Sequence, residues 1–136
     1  MVPIRPLAPI TVILIGHAYH RRVEPVEINA GAWYLRALRA DELMDDRPAL
    51  AAMGESDPGY VARCTARWAS DTGYTWAVCE PTTGEMLAEV SIDPVAGTLR
   101  TRTRDGHDDA VAVAEQSVRR FATAMLGLTI PGPIGG

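Results

Sequence analysis

The sequence predicts an α+β domain, a mostly antiparallel sheet with two short helices and one long amphipathic helix. Three observations lead there. Residues 73–104 hold three runs of alternating apolar and polar side chains separated by turn clusters, the pattern of consecutive antiparallel strands. Residues 109–126 place Val111, Ala114, Val118, Phe121, Ala122 and Met125 on one helical face. Residues 41–70 carry two shorter helical patterns ahead of the strand run. At 136 residues and 47% hydrophobic composition, the chain can bury a core as one domain without a metal or disulfide.

In chain order, the Pro-rich residues 1–9 are expected to be extended, and residues 11–15, β-branched and apolar, read as a strand or a leader segment. The polar residues 17–22 follow Gly16, and residues 23–28 suit an edge strand because Pro25 cannot donate to a ladder. Residues 29–31 read as a turn. Residues 33–39 read as a strand with Trp33, Leu35 and Ala37 on one face and Tyr34, Arg36 and Leu38 on the other.

Asp41 is placed to cap a helical region carrying Leu43, Met44, Leu50 and Met53, with Pro48 opening a new turn within it. After a break at residues 54–59, residues 60–70 form a helix with Val61, Cys64 and Trp68 on one face. Residues 73–80 and 85–93 form a hairpin around residues 81–84. Tyr74, Trp76 and Val78 oppose Thr75, Ala77 and Cys79 on the first strand, and Met86, Ala88, Val90 and Ile92 oppose Leu87, Glu89 and Ser91 on the second. Residues 94–97 turn into a third strand, residues 98–104. Gly127 caps the long helix, and Pro131 and Pro133 discourage its continuation, leaving residues 129–136 as a loose tail.

Composition narrows the function classes. A formal net charge of −4 argues against nucleic acid or an anionic membrane as general partners. All 13 basic residues are Arg, which with the abundant Ala, Gly and Pro reflects GC-rich coding, so the number of arginines is no sign of anion recognition. Cys64 and Cys79 are too few for a disulfide framework and lack metal-ligand spacing, and a reduced, cytoplasmic setting is the default. The apolar run at residues 10–15 is too short to span a membrane. His17 and His20 share a helical spacing without neighbouring Cys, so no metal site is expected. The terminal Gly135 and Gly136 match a carrier diglycine, but the order of elements does not suit a ubiquitin-like fold.

Particular strings carry a resemblance. WYLRALRADE from Trp33 looks like a first strand and helix start, YTWAVCEPTTGEMLAEV from Tyr74 like a second and third strand, and VAEQSVRRFATAMLGL from Val113 like the helix after a cofactor loop. Together they resemble the first two-thirds of the GNAT superfamily of acyl-CoA-dependent N-acetyltransferases over residues 26–128, with residues 1–25 as an N-terminal extension. The resemblance implies acetyl transfer from acetyl-CoA to the amine of a small molecule or a protein. Arg104, Gly106 and Ala110 then stand at the cofactor-binding junction, and Glu89 is the candidate base for an ammonium substrate, which at a pKa of roughly 10 must lose a proton before attack.

Two departures favour an alternative, a non-catalytic derivative that binds a partner or forms a homodimer. The family's cofactor loop cradles a diphosphate on glycine backbone, whereas Asp105, Asp108, Asp109 and Val111 occupy this junction. The family also continues past the long helix with a strand and helix that complete the acyl-CoA cleft, whereas this sequence stops at Gly136. Arg100, Arg102 and Arg104 share a strand face, where they would protect an edge or pair an acidic partner. Glu89 in a structural ion pair with a nearby Arg is the competing reading of that residue.

Overall fold

The computed structural model describes the backbone of residues 10–15 and 18–23 and all of residues 25–130. Two strands, β1 (Ile10–Ile15) and β2 (Ala18–Val23), pair antiparallel as a separate hairpin. Most of the polar stretch at residues 17–22 thus lies in β2. The rest is a five-stranded antiparallel meander, β3 (Ile28–Ala30), β4 (Trp33–Ala37), β5 (Tyr74–Cys79), β6 (Met86–Asp93) and β7 (Thr98–Thr103), each strand beside the next in chain order. Three helices accompany it: α1 (Arg47–Ala52), α2 (Tyr60–Ser70) and α3 (Asp108–Leu126).

The edge strand expected at residues 23–28 lies later, at Ile28–Ala30, past the Pro25 that cannot join a ladder. Asn29 therefore belongs to a strand and the turn is Gly31 with Ala32, where Gly31 takes φ +63°, the left-handed conformation a tight hairpin needs. β4 has the expected faces. Leu35 packs with Trp76, Val78 and α3 on one side, while Leu38 and Tyr34 pack with α1 and α2 on the other.

Covered by helices on both faces, β5 is buried along its whole length. α3 brings Ala110, Ala114, Val118, Phe121 and Ala122 onto one face, and α1 and α2 bring Leu50, Tyr60, Val61 and Cys64 onto the other. Ala110 and Ser117 join the buried side of α3, where small side chains let the helix approach the sheet closely. Past the last β4 to β5 pair, Ala37 with Trp76, the indole of Trp68 reaches in from α2 and donates to the Thr75 carbonyl at 3.2 Å. Trp68 stacks there against Tyr74 and Trp76, and Trp76 against Phe121.

Three local expectations are corrected. Asp41 caps no helix. Its Oδ1 accepts from the Leu43 and Met44 amides at 2.9 and 3.0 Å, which closes an isolated turn, and the helix begins only at Arg47 with Pro48 in its first turn. Leu43, expected on that helix, is 86% exposed on the turn. The pairing of β5 with β6 shifts register between Val78 and Cys79, so Met86 faces the α1 and α2 layer while Ala88, Val90 and Ile92 face α3.

Loop 41–46 is tied down from inside. Arg36 forms a bidentate pair with Asp46, both contacts at 2.8 Å, and the Arg39 amide donates to Asp46 Oδ2 at 2.7 Å. Both side chains are buried, and Arg36 also reaches the Gly84 carbonyl at 3.1 Å, joining this loop to the β5 to β6 turn. At the far end Gly127 takes φ +68° and the Leu128 amide returns to the Ala122 carbonyl at 3.0 Å, as expected of a glycine cap. The tail is anchored at first. Ile130 is buried, and Arg119 donates to its carbonyl at 2.7 Å. Residues 131–136, with the terminal glycines, and the side chains of His17 and His20 lie outside the described residues.

Candidate functional site

β6 and β7 set the candidate residues in rows. Antiparallel pairing places Ser91 beside Arg100 and Glu89 beside Arg102, on the side of the sheet that faces α2. Tyr60, at the start of α2, closes over the second row.

Glu89 is 2% exposed and both its carboxylate oxygens are engaged. Tyr60 donates to Oε2 at 2.7 Å and Arg102 Nε to Oε1 at 2.7 Å. Arg102 extends the network to Glu55 at 3.2 Å and lies over the Tyr60 ring, 5.2 Å from its centroid. Burial first, and then the hydrogen bond to Glu89, push the Tyr60 phenol well above its ordinary value, so it stays protonated and acts as the donor. Burial, the largest influence, works against the charge of Arg102, but the hydrogen bond to Glu89, the Glu89 charge and Tyr60 together outweigh it and raise the guanidinium above its usual range. The arrangement is the structural ion pair weighed for Glu89, with a phenol added.

Arg104, Gly106 and Ala110 meet at the junction of β7 and α3. Arg104 lies just past the strand, its amide bonded to the Leu87 carbonyl at 2.9 Å and its guanidinium to Glu85 at 2.7 Å and the Met86 carbonyl at 3.2 Å. Gly106 turns the chain at φ +87°, with open space where a Cβ would stand. The Ala110 side chain is wholly buried, so only its amide could serve a ligand. That amide already donates to the Asp109 carboxylate at 2.9 Å. Asp108 and Asp109 both lie in the first turn of α3, at the positive end of its dipole. A diphosphate needs open, uncharged amides at such a turn. The residues here do not fit it, because the protein's own carboxylate holds the anion position.

The arginine row divides. Arg102 and Arg104 are paired within the domain, whereas Arg100 is exposed and makes no ion pair among the described residues. Arg100 lines a cleft of about 400 Å³ together with Arg67, Thr72, Thr75, Ser91 and Asp93. Sequence reasoning passed over Arg67, because its approach to Arg100 depends on how α2 lies over three paired strands. It also missed Tyr60 as the partner of Glu89, although a Tyr at the start of a helix beside a buried carboxylate is the kind of donor to look for. Cys64 and Cys79 are buried free thiols, as their apolar surroundings suggested. Burial pushes the Cys79 thiol up to about 12. Among the described residues no group of three His, Cys, Asp or Glu could hold a metal ion, and no helix is long and apolar enough to cross a membrane.

A five-stranded antiparallel sheet with two short helices on one face and a long helix after the last strand is the fold of GNAT acetyltransferases. Two solved structures share it. A protein of Vibrio cholerae, assigned as a ribosomal-protein-serine acetyltransferase, superposes with a TM-score of 0.61 at 15% identity, over 75% of this chain and 69% of that one. An acetyltransferase from Agrobacterium tumefaciens str. C58 superposes with a TM-score of 0.53 at 20% identity, over the same 75% and 69%. No protein-family model and no curated protein matches the sequence. At such identities the likeness is one of fold.

Proposed function

We propose that this chain is a binding domain built on the acetyltransferase fold, which pairs with a second copy of itself through the edge of β7 rather than transferring acetyl groups. The observation that carries the first half is the Asp109 carboxylate on the Ala110 amide, 2.9 Å away, where the acyl-CoA diphosphate would have to lie. The second half rests on β7, which has no neighbour on its outer side among the described residues. The Arg104 amide points inward to Leu87, and alternation along the strand then turns the Thr101 amide outward, free to bond another strand.

Calorimetry with acetyl-CoA tests the first half. No heat and no thermal shift are expected at about 1 mM, the weak limit of specific binding. Micromolar binding by the unaltered protein would overturn it. Sedimentation of Thr101→Pro tests the second half, because proline there removes an outward donor and leaves the β6 to β7 bonds in place. Self-association should be lost in that variant; assembly unaffected by it, or a monomer at every concentration, refutes edge pairing.

Acetyl transfer from acetyl-CoA to an amine is the second reading. It is favoured by the shared fold and by the open turn at Gly106. In that case Glu89 could act as base only after Tyr60 or Arg102 releases it.

A further inference from the structure

We infer that the cleft between the end of α2 and the β5, β6 and β7 strands is a binding site for a phosphate-type oxyanion. The cleft lies on the α2 side of the sheet, away from the β7 to α3 junction. Its volume of about 400 Å³ suits a small-molecule group rather than a macromolecule.

Three features build it. Arg67 and Arg100 both line the cleft, and neither makes an ion pair among the described residues, whereas Arg36, Arg102 and Arg104 are all neutralised within the domain. Two guanidinium forks facing one space match the charge and the donor geometry of a dianionic phosphate. Asp93 also lines the cleft, but its Oδ1 is committed to the Val95 and Ala96 amides, and the balance of the two arginines over it stays positive.

The floor is a row of hydroxyls. Register sets Thr75 beside Ser91 and Ser91 beside Arg100, and the Thr75 and Ser91 oxygens lie 3.0 Å apart in a buried contact. Ser91 lines the cleft, where its hydroxyl can serve a bound oxyanion as a donor.

Gly73 sets the position of Arg67. A Cβ on residue 73 would stand 3.1 Å from Arg67 Cδ, tighter than an ordinary contact, so a side chain there would push the Arg67 stem away by a few tenths of an ångström.

The test is an NMR titration with inorganic phosphate, read at the arginine Nε–Hε resonances of the full chain. Saturable shifts are expected at Arg67 and Arg100, with Arg120 on α3 as an unmoved reference. Affinity should fall about tenfold in Arg67→Gln and in Arg100→Gln, both at exposed positions. Gly73→Ala should weaken binding through displacement of Arg67. Equal, non-saturating drift at every arginine would overturn the assignment, as would binding that survives the Arg67→Gln, Arg100→Gln double variant. The outcome is independent of acetyl-CoA binding and of edge pairing, so each can fail alone.

Discussion

The Tyr60 phenol donates to Glu89 Oε2 at 2.7 Å, which fastens the start of α2 to the middle of β6 through a carboxylate buried under both. The charge is tolerable only because Arg102 balances it from the neighbouring strand.

Arg102→Met should therefore cost about 3 kcal/mol, because it leaves a buried carboxylate without its counter-charge. Tyr60→Phe removes one neutral donor and should cost about 1–2 kcal/mol. Urea unfolding measures both. Adding Glu89→Gln to Arg102→Met should recover part of the loss, since the uncompensated charge goes with it; no recovery would mean that Arg102 matters by packing alone.

Asp46 and Leu43 share a loop and should behave oppositely to what their polarity suggests. Asp46→Ala leaves Arg36 buried and unpaired and frees the Arg39 amide, and should cost about 3–5 kcal/mol. Leu43→Ser, at an 86% exposed position, should stay within about 0.5 kcal/mol of the parent. Denaturation midpoints decide between this ranking and its reverse.

The buried thiols make the fold sensitive to alkali. Burial holds Cys79 at about 12, against roughly 8.5 in an unfolded chain, so between those values the folded state keeps a proton that the unfolded state has lost. Stability is then fully present below about pH 8.5 and falls as pH rises toward about 12. Tyr34, also raised to about 12, by burial first and by its hydrogen bond to Glu27, acts in the same direction above the usual phenol range. Urea midpoints at pH 7, 9 and 10.5 should decline, and Cys79→Ala should decline less steeply. A thiol reagent should label neither cysteine at pH 8 until the protein unfolds.

Strands β4 to β7 and the two longer helices could be read from side-chain period because each sets at least one face against a core that selects for it, as with Leu35 on β4 and Val118 on α3. What escaped that reading depends on contacts that period does not encode. Asp41 looks like a helix cap and serves only its own turn, because Asp46, drawn inward by Arg36, ends the irregular loop five residues later. Met86 changes face because a single bulge intervenes. Ile130 is held through its carbonyl, a group every residue has. The same holds for the site. Arg100 and Glu89 stood out as residues, but their fates differ: strand register and the position of α2 give Glu89 two partners and leave Arg100 beside Arg67.

The indole of Trp76, at the centre of the sheet, donates to the Val26 carbonyl at 2.7 Å. Peeling residue 26 away would strand that N–H in an apolar interior, at a penalty of about 1–3 kcal/mol. The peptide leading into β3 is thereby moored from within the core, not only through its ladder to β4.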